Sequence, residues 1–175
     1  SVSISGNYAI VGAYNEDTKG TNAGAAYIFE RNETTGTWSQ KTMLTASNGG
    51  SSDYFGKSVS ISGNYAIVGA YNEDTSGDNS GAAYIFERAT DGSWNQVPTI
   101  LKASNVDAGD NFGWSVSISG SYAIVGAMYE GSIAVNAGAA YVFERTVDGS
   151  WNQVPTILKA SDAQASDNFG ISVSI

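Results

Sequence analysis

Carboxylates and amides are the side chains here with both the chemistry and the clustering to suggest a site. The 175-residue sequence has no histidine and no cysteine. That removes the usual general base, the Ser-His-Asp arrangement and thiolate metal sites. The densest polar group is Asn15-Glu16-Asp17 with Asn22, and it recurs as Asn72-Glu73-Asp74 with Asp78 and Asn79. Oxygen donors gathered around Gly20 or Gly77 suit Ca²⁺, which takes about six to eight oxygen ligands. The competing reading is a solvated acidic loop closed by Asx turns. A third copy, Tyr129 to Asn136, carries a single carboxylate and favours that second reading. Asp53, Asp110 and Asp167 each stand two residues before a Phe-Gly pair. One carboxylate per repeat suits a binding site, but a short acceptor capping backbone N–H groups in a turn is the simpler account. No carboxylate recurs beside a base, and no glycine-rich turn carries the lysine and helix of a phosphate loop. An enzyme is therefore not expected, and no cofactor is required, with Ca²⁺ as the one candidate ion.

Aromatic residues are the other candidates. Tyr27, Phe29, Tyr84, Phe86, Tyr141 and Phe143 recur in one segment, and Trp38, Trp94 and Trp151 open the next. Exposed, they would stack on sugar rings; buried, they would fill the space between layers. Trp114 breaks the pattern, standing where the other repeats have Lys57 and Ile171, and is the single aromatic expected to touch a ligand. Asn32-Glu33-Thr34 is an N-glycosylation sequon in a turn, present in one repeat only.

The elements that position these residues come from an internal repeat. Ser1 to Ala13 recurs as Ser58 to Ala70 and Ser115 to Ala127, and Ser172 opens a fourth copy, a period of 57 residues. The repeats divide as 1–57, 58–114 and 115–171, with 172–175 the start of another. Arg31 to Trp38 is one residue longer than Arg88 to Trp94, and Trp38 to Leu44 one shorter than Trp94 to Leu101. The period survives, which suggests that the elements and not the loops set the phase. Four strands per period are expected. Lys57–Ser62 alternates Val59 and Ile61 with serines, and Gly63-Asn64 makes a two-residue hairpin turn. Tyr65–Ala70 is apolar on both faces, Ala82–Arg88 follows a polar loop, and the fourth runs from Trp94 to about Ala103. Pro98, repeated as Pro155, lacks a donor and places that strand at an outer edge. No helical periodicity occurs. The fold class expected is all-β: three consecutive four-stranded antiparallel propeller-type blades, part of a β-propeller or of an open blade array.

The motifs that bound these strands resemble a known family. Tyr54-Phe55-Gly56, Asn111-Phe112-Gly113 and Asn168-Phe169-Gly170 precede first strands. Ile-Val-Gly-Ala ends at Ala13, Ala70 and Ala127, and Gly-Ala-Ala-Tyr-Ile/Val-Phe-Glu-Arg spans 24–31, 81–88 and 138–145. This is similar to the FG-GAP repeat, in the variety of bacterial extracellular proteins and distantly like the integrin α-subunit propeller. Two departures matter. Tyr14, Tyr71 and Met128 stand where the motif has proline. The connection that carries a Ca²⁺ loop in integrin-type repeats is shortened to Ser-Gly-Asn-Tyr (Ser5 to Tyr8, Ser62 to Tyr65), so the family's cation site does not carry over.

Net charge is −9 with a pI near 4.2. Such a surface repels nucleic acid and anionic lipid. No apolar stretch is long enough for a membrane helix. Closed propellers have about four to eight blades, so three leave two sticky faces. The matching start and end are expected of a segment cut in phase from a longer chain. Stacking that fails to close gives a fibre. The expected function is a non-catalytic extracellular structural repeat, whose partners are other copies of itself in a surface assembly, filament or adhesin. The alternative is a propeller that recognises a glycan or protein, with or without Ca²⁺.

Overall fold

The computed structural model describes residues 1–175, all of them in strands, turns and loops without a helix. Three four-stranded antiparallel sheets follow one another along the chain, each in simple up-and-down order. The first contains β1 (Val2–Ser5), β2 (Tyr8–Ala13), β3 (Ala25–Arg31) and β4 (Trp38–Leu44). The second contains β5 (Ser58–Ser62), β6 (Tyr65–Ala70), β7 (Ala82–Arg88) and β8 (Trp94–Leu101). The third contains β9 (Phe112–Ser119), β10 (Tyr122–Ala127), β11 (Ala139–Arg145) and β12 (Trp151–Leu158). The first hairpin of each sheet turns at a glycine with φ of 56° (Gly6, Gly63, Gly120) while the next residue keeps a negative φ, as in a II′ turn.

The fourth strands lie at the outer edge, so Pro98 leaves no ladder bond unmade. β8 stops at Leu101, short of the expected Ala103, and β9 begins at Phe112, ahead of Ser115. The slippage between repeats is not confined to loops. β3 and β4 shift register between Ile28 and Phe29, opposite Lys41, whereas β7 and β8 shift between Tyr84 and Phe86, opposite Val97 to Thr99. A larger bulge inside the edge strand absorbs the extra residue there.

The sheets pack face to face, and their cores lie between them. One cluster joins Ile10, Ile28 and Leu44 of the first sheet to Val59, Val68, Tyr84 and Trp94 of the second. The next joins Ile67, Ile85 and Leu101 to Val116, Val125, Tyr141 and Trp151. The Phe-Gly segment stitches the layers. The Phe55 N–H donates to Ala23 O, and its ring meets Tyr84 and Phe86 edge-on at 5.4 and 6.0 Å. Phe112 repeats this with Ser80, Tyr141 and Phe143. The glycine of Ile-Val-Gly-Ala exists for the same approach: a Cβ on Gly69 would lie 2.0 Å from Gly113 O. Tyr84, Phe86, Tyr141, Phe143, Trp94 and Trp151 are thus interlayer core, whereas Tyr27 and Phe29 are only partly buried and Trp38 is 41% exposed for want of a layer against them.

The first strands approach one another, and their serines bond across the interface. The N–H groups of Val59, Ile61 and Gly63 donate to the hydroxyls of Ser1, Ser3 and Ser5, at 3.1–3.2 Å. Ile118 and Gly120 donate to Ser60 and Ser62 in the same way. The free edges of β5 and β9 are thereby capped by the preceding first strand.

Candidate functional site

The acidic loops after β2 and β6 are closed by their own carboxylates. Asp17 accepts the Asn22 N–H and Asp74 the Asn79 N–H, each at 2.7 Å. Glu16 accepts the Thr18 N–H at 3.0 Å. Glu73 turns inward instead and is 1% exposed. It accepts Lys102 Nζ at 2.9 Å, Asn48 Nδ2 at 2.8 Å and the Thr75 hydroxyl. Asn15, Asn72 and Asp78 stay on the loop surface or near it. No three carboxylates gather closely enough to hold a metal ion.

Glu73 belongs to an interlayer network that sequence reasoning missed. Asn48, from the loop after β4, donates to Glu73 and accepts the Tyr84 hydroxyl at 2.9 Å. One layer on, Asn105 donates to Glu130 at 2.9 Å and accepts the Tyr141 hydroxyl at 2.8 Å, while Lys159 pairs with Glu130 at 2.9 Å. Burial pushes the Glu130 carboxyl up, but hydrogen bonds from Ser132 and Lys159, with the lysine's charge, hold it below the usual range. Burial raises the Tyr84 and Tyr141 hydroxyls well above the ordinary tyrosine value. The signal for this network was the recurrence of Glu73 as Glu130 and of Lys102 as Lys159 at the repeat period.

Asp53, Asp110 and Asp167 are turn caps. They accept the N–H groups of Gly50, Asp107 and Gln164 at 2.7, 2.9 and 2.7 Å. Asp53 and Asp110 are buried, and desolvation raises their carboxyls above the usual range despite those bonds. Asn32 lies exposed in the β3–β4 turn, its Oδ1 accepting the N–H groups of Thr34 and Thr35 at 2.9 Å.

Trp114 is half-buried within a row of aromatics at one end of the layers. Its ring meets Tyr71 edge-on at 4.8 Å, and Tyr54 stacks on Tyr71 at 5.4 Å with an interplanar angle of 9°. Tyr14 continues the row, tilted against Tyr54 at 6.2 Å. The Lys57 ammonium sits 4.9 Å from the Tyr14 ring and 5.0 Å from the Trp114 ring. Tyr54 holds a φ of 56° at a position filled elsewhere by Asn111 and Asn168, which tolerate that conformation better. Its presence there was the sequence signal for the row. The chemistry available is a flat aromatic surface with one cation already seated between rings.

The FG-GAP repeat family profile matches residues 1–29, 38–86 and 94–143, most of the chain, the second and third matches each running from the outer strand of one sheet to the third strand of the next. No curated protein matches the chain.

Proposed function

Because the chain belongs to the FG-GAP repeat family, whose repeats form β-propeller-type domains, we propose that it is a non-catalytic structural repeat of an extracellular surface assembly, filament or adhesin. FG-GAP repeats are typical of extracellular and surface proteins, and the family is generally non-catalytic. The observation that carries the reading is the equivalence of the two open faces to the buried ones. Val2 and Ile4 are 73% and 64% exposed, whereas their counterparts Val59, Ile61, Val116 and Ile118 are buried. On the opposite face Leu158 and Phe169 are exposed where Leu101 and Phe112 are buried. Apolar surface of this kind is stabilised by covering it with another blade, at about 25 cal/mol per Å². Negative-stain imaging and sedimentation test it: fibres or discrete rings are expected at high concentration, and a compact monomer at every concentration refutes assembly.

The aromatic row favours a second reading, a module that recognises a glycan across Tyr14, Tyr54, Tyr71 and Trp114. A glycan array with Trp114→Ala as control tests it: binding lost in the variant is expected, and no binding by the unaltered chain refutes it.

A further inference from the structure

We propose that Asn48 and Lys102, and one layer on Asn105 and Lys159, join through their side chains as amides with loss of ammonia, each bond tying one blade covalently to the next. The inference stands apart from the assembly and glycan readings above, since it concerns contacts inside the chain.

The same four residue types meet between each pair of layers. In the first set a buried carboxylate holds an amine and an amide together. Lys102 Nζ lies 2.9 Å from Glu73 Oε2, and Asn48 Nδ2 lies 2.8 Å from Glu73 Oε1. The Tyr84 hydroxyl donates to Asn48 Oδ1 at 2.9 Å. In the second set Lys159 Nζ and Asn105 Nδ2 both lie 2.9 Å from one oxygen, Glu130 Oε1. The Tyr141 hydroxyl donates to Asn105 Oδ1 at 2.8 Å. Glu73 and Glu130 are 1% and 2% exposed, and Glu130 Oε2 is buried with no hydrogen-bond partner, free to carry a proton. A structural ion pair needs only the lysine and the carboxylate. It has no use for an amide whose oxygen is polarised by a tyrosine and whose nitrogen faces the same carboxylate as the amine.

The chemistry follows from those contacts. Glu73 takes a proton from the Lys102 ammonium, and the freed Nζ becomes a nucleophile. A change of lysine rotamer carries Nζ from the carboxylate oxygen to the neighbouring Asn48 Cγ, which it attacks from about 3 Å. The Nζ–Cγ bond forms, and the carbonyl electrons move onto Oδ1, where the Tyr84 hydroxyl stabilises the developing charge. Glu73 passes its proton to Nδ2 as the Cγ–Nδ2 bond breaks. It then takes the surplus proton from Nζ and hands it to the departing ammonia. One ammonium ion leaves, a secondary amide remains, and Glu73 ends ionised as it began. No oxidant or co-reactant is needed. Glu130, Lys159, Asn105 and Tyr141 do the same one layer on.

Each bond joins the loop that leaves one sheet to the residue that follows the outer strand of the next, since Asn48 lies after β4 and Lys102 after β8. The sequence has no cysteine with which to tie its layers otherwise. The lysine side chains are 21% and 16% exposed and Asn48 lies open to solvent, which leaves the ammonia a way out. Thr45 stands at the position of the two lysines and Asp162 at that of the two asparagines, so only these two sets are complete.

Mass spectrometry of the denatured 175-residue chain tests this. Its mass is expected to fall short of the sequence value by about 34 Da, about 17 Da for the ammonia lost at each lysine acylated. Lys102→Arg and Glu73→Gln should each abolish the first bond and keep the second, and the surviving loss shows that the variant has folded. Tandem spectra of a digest should contain one branched peptide joining Asn48 to Lys102 and another joining Asn105 to Lys159. The full sequence mass in an unaltered chain that is folded by circular dichroism overturns the proposal. So does a loss at Asn48 that persists in Lys102→Arg, because Asn48 precedes Gly49 and can shed the same ammonia by closing a succinimide on its own backbone. A branched Asn48–Lys102 peptide from Glu73→Gln overturns the role of the carboxylate.

Discussion

Substituting alanine for the glycine of Ile-Val-Gly-Ala tests whether the layers meet as described. Gly69 has an ordinary φ, so alanine there meets no backbone strain of its own. Its Cβ would lie 2.0 Å from Gly113 O and 2.3 Å from Ser58 Oγ. Normal carbon–oxygen contact is about 3.4 Å, so the overlap exceeds 1 Å, and one of the two atoms is backbone that cannot rotate away. Overpacking costs about 1–3 kcal/mol when side chains yield, and more when they cannot. We therefore expect at least about 3 kcal/mol, or a fall in Tm of roughly 6–12 °C for a chain of this size. Gly12→Ala makes the same clash with Gly56 O at 1.9 Å and should cost as much. Gly126→Ala clashes at 1.9 Å with Gly170 O and at 2.5 Å with Ser115 Oγ and should cost as much. Gly63→Ala is the control for backbone strain alone: nothing lies within 4 Å of its Cβ, but its φ is +56°. It should cost about 1 kcal/mol. Thermal unfolding by circular dichroism gives all four. Equal losses at Gly69 and Gly63 would refute the interlayer contact as the cause.

Lys102→Met removes the cation from a glutamate that is nearly out of solvent. A loss of roughly 2–3 kcal/mol is expected by urea denaturation, below the fully buried case because the Lys102 side chain is 21% exposed. Asp53→Asn keeps the acceptor for Gly50 and removes the charge. Asp53 has a folded pKa above its unfolded one, so its contribution is most favourable below about pH 3.9 and is lost as pH rises through the folded value. The variant should therefore gain stability over the parent across that window and hold the gain to neutral pH; parallel stability curves for the two proteins would refute this. Ca²⁺ or EGTA should leave Tm unchanged, because the carboxylates of Glu73 and Asp74 are already occupied by protein donors. A rise on adding Ca²⁺ would show that the loops rearrange to bind it.

The strands and their order were legible because each carries its own signal. Gly63-Asn64 reads as a hairpin, Pro98 as an edge, and Tyr65–Ala70 as a strand buried on both faces. What the residue pattern concealed lies between blades. Ser58, Ser60 and Ser62 alternate with Val59 and Ile61, and that alternation looks like a solvent face. In the structure Ser60 and Ser62 accept edge N–H groups of the neighbouring layer and Ser58 donates to its Gly113 carbonyl, because an unpaired backbone group needs a partner as much as a hydrocarbon needs cover. Glu73 looked like a loop carboxylate because its partners, Asn48 and Lys102, lie far off in sequence. Asp53 could be read correctly because its partner, Gly50, is local. The bulge opposite Ile85 was invisible for a different reason: an insertion inside an edge strand leaves the flanking pattern intact.

The two kinds of interlayer bond also bear on which surfaces the proposed assembly would use. The free edges of β5 and β9 are closed by serines of the preceding layer, and the outer edge is bulged and, in two blades, interrupted by Pro98 or Pro155, so that among the inner strands β1 alone keeps an open edge. Apart from β1, neither edge offers a ladder to another chain. The outer faces expose apolar residues whose counterparts one period away are buried, Val2 and Ile4 on one and Leu158 and Phe169 on the other. In the proposed assembly a first-blade face, with Arg31 and Trp38, would cover a third-blade face, with Tyr122, as the internal layers do. A head-to-tail contact of that sort cannot be satisfied by a two-fold dimer, in which like faces meet. A contact of that sort would lead to a ring or a fibre, and the rotation between successive blades would decide between them.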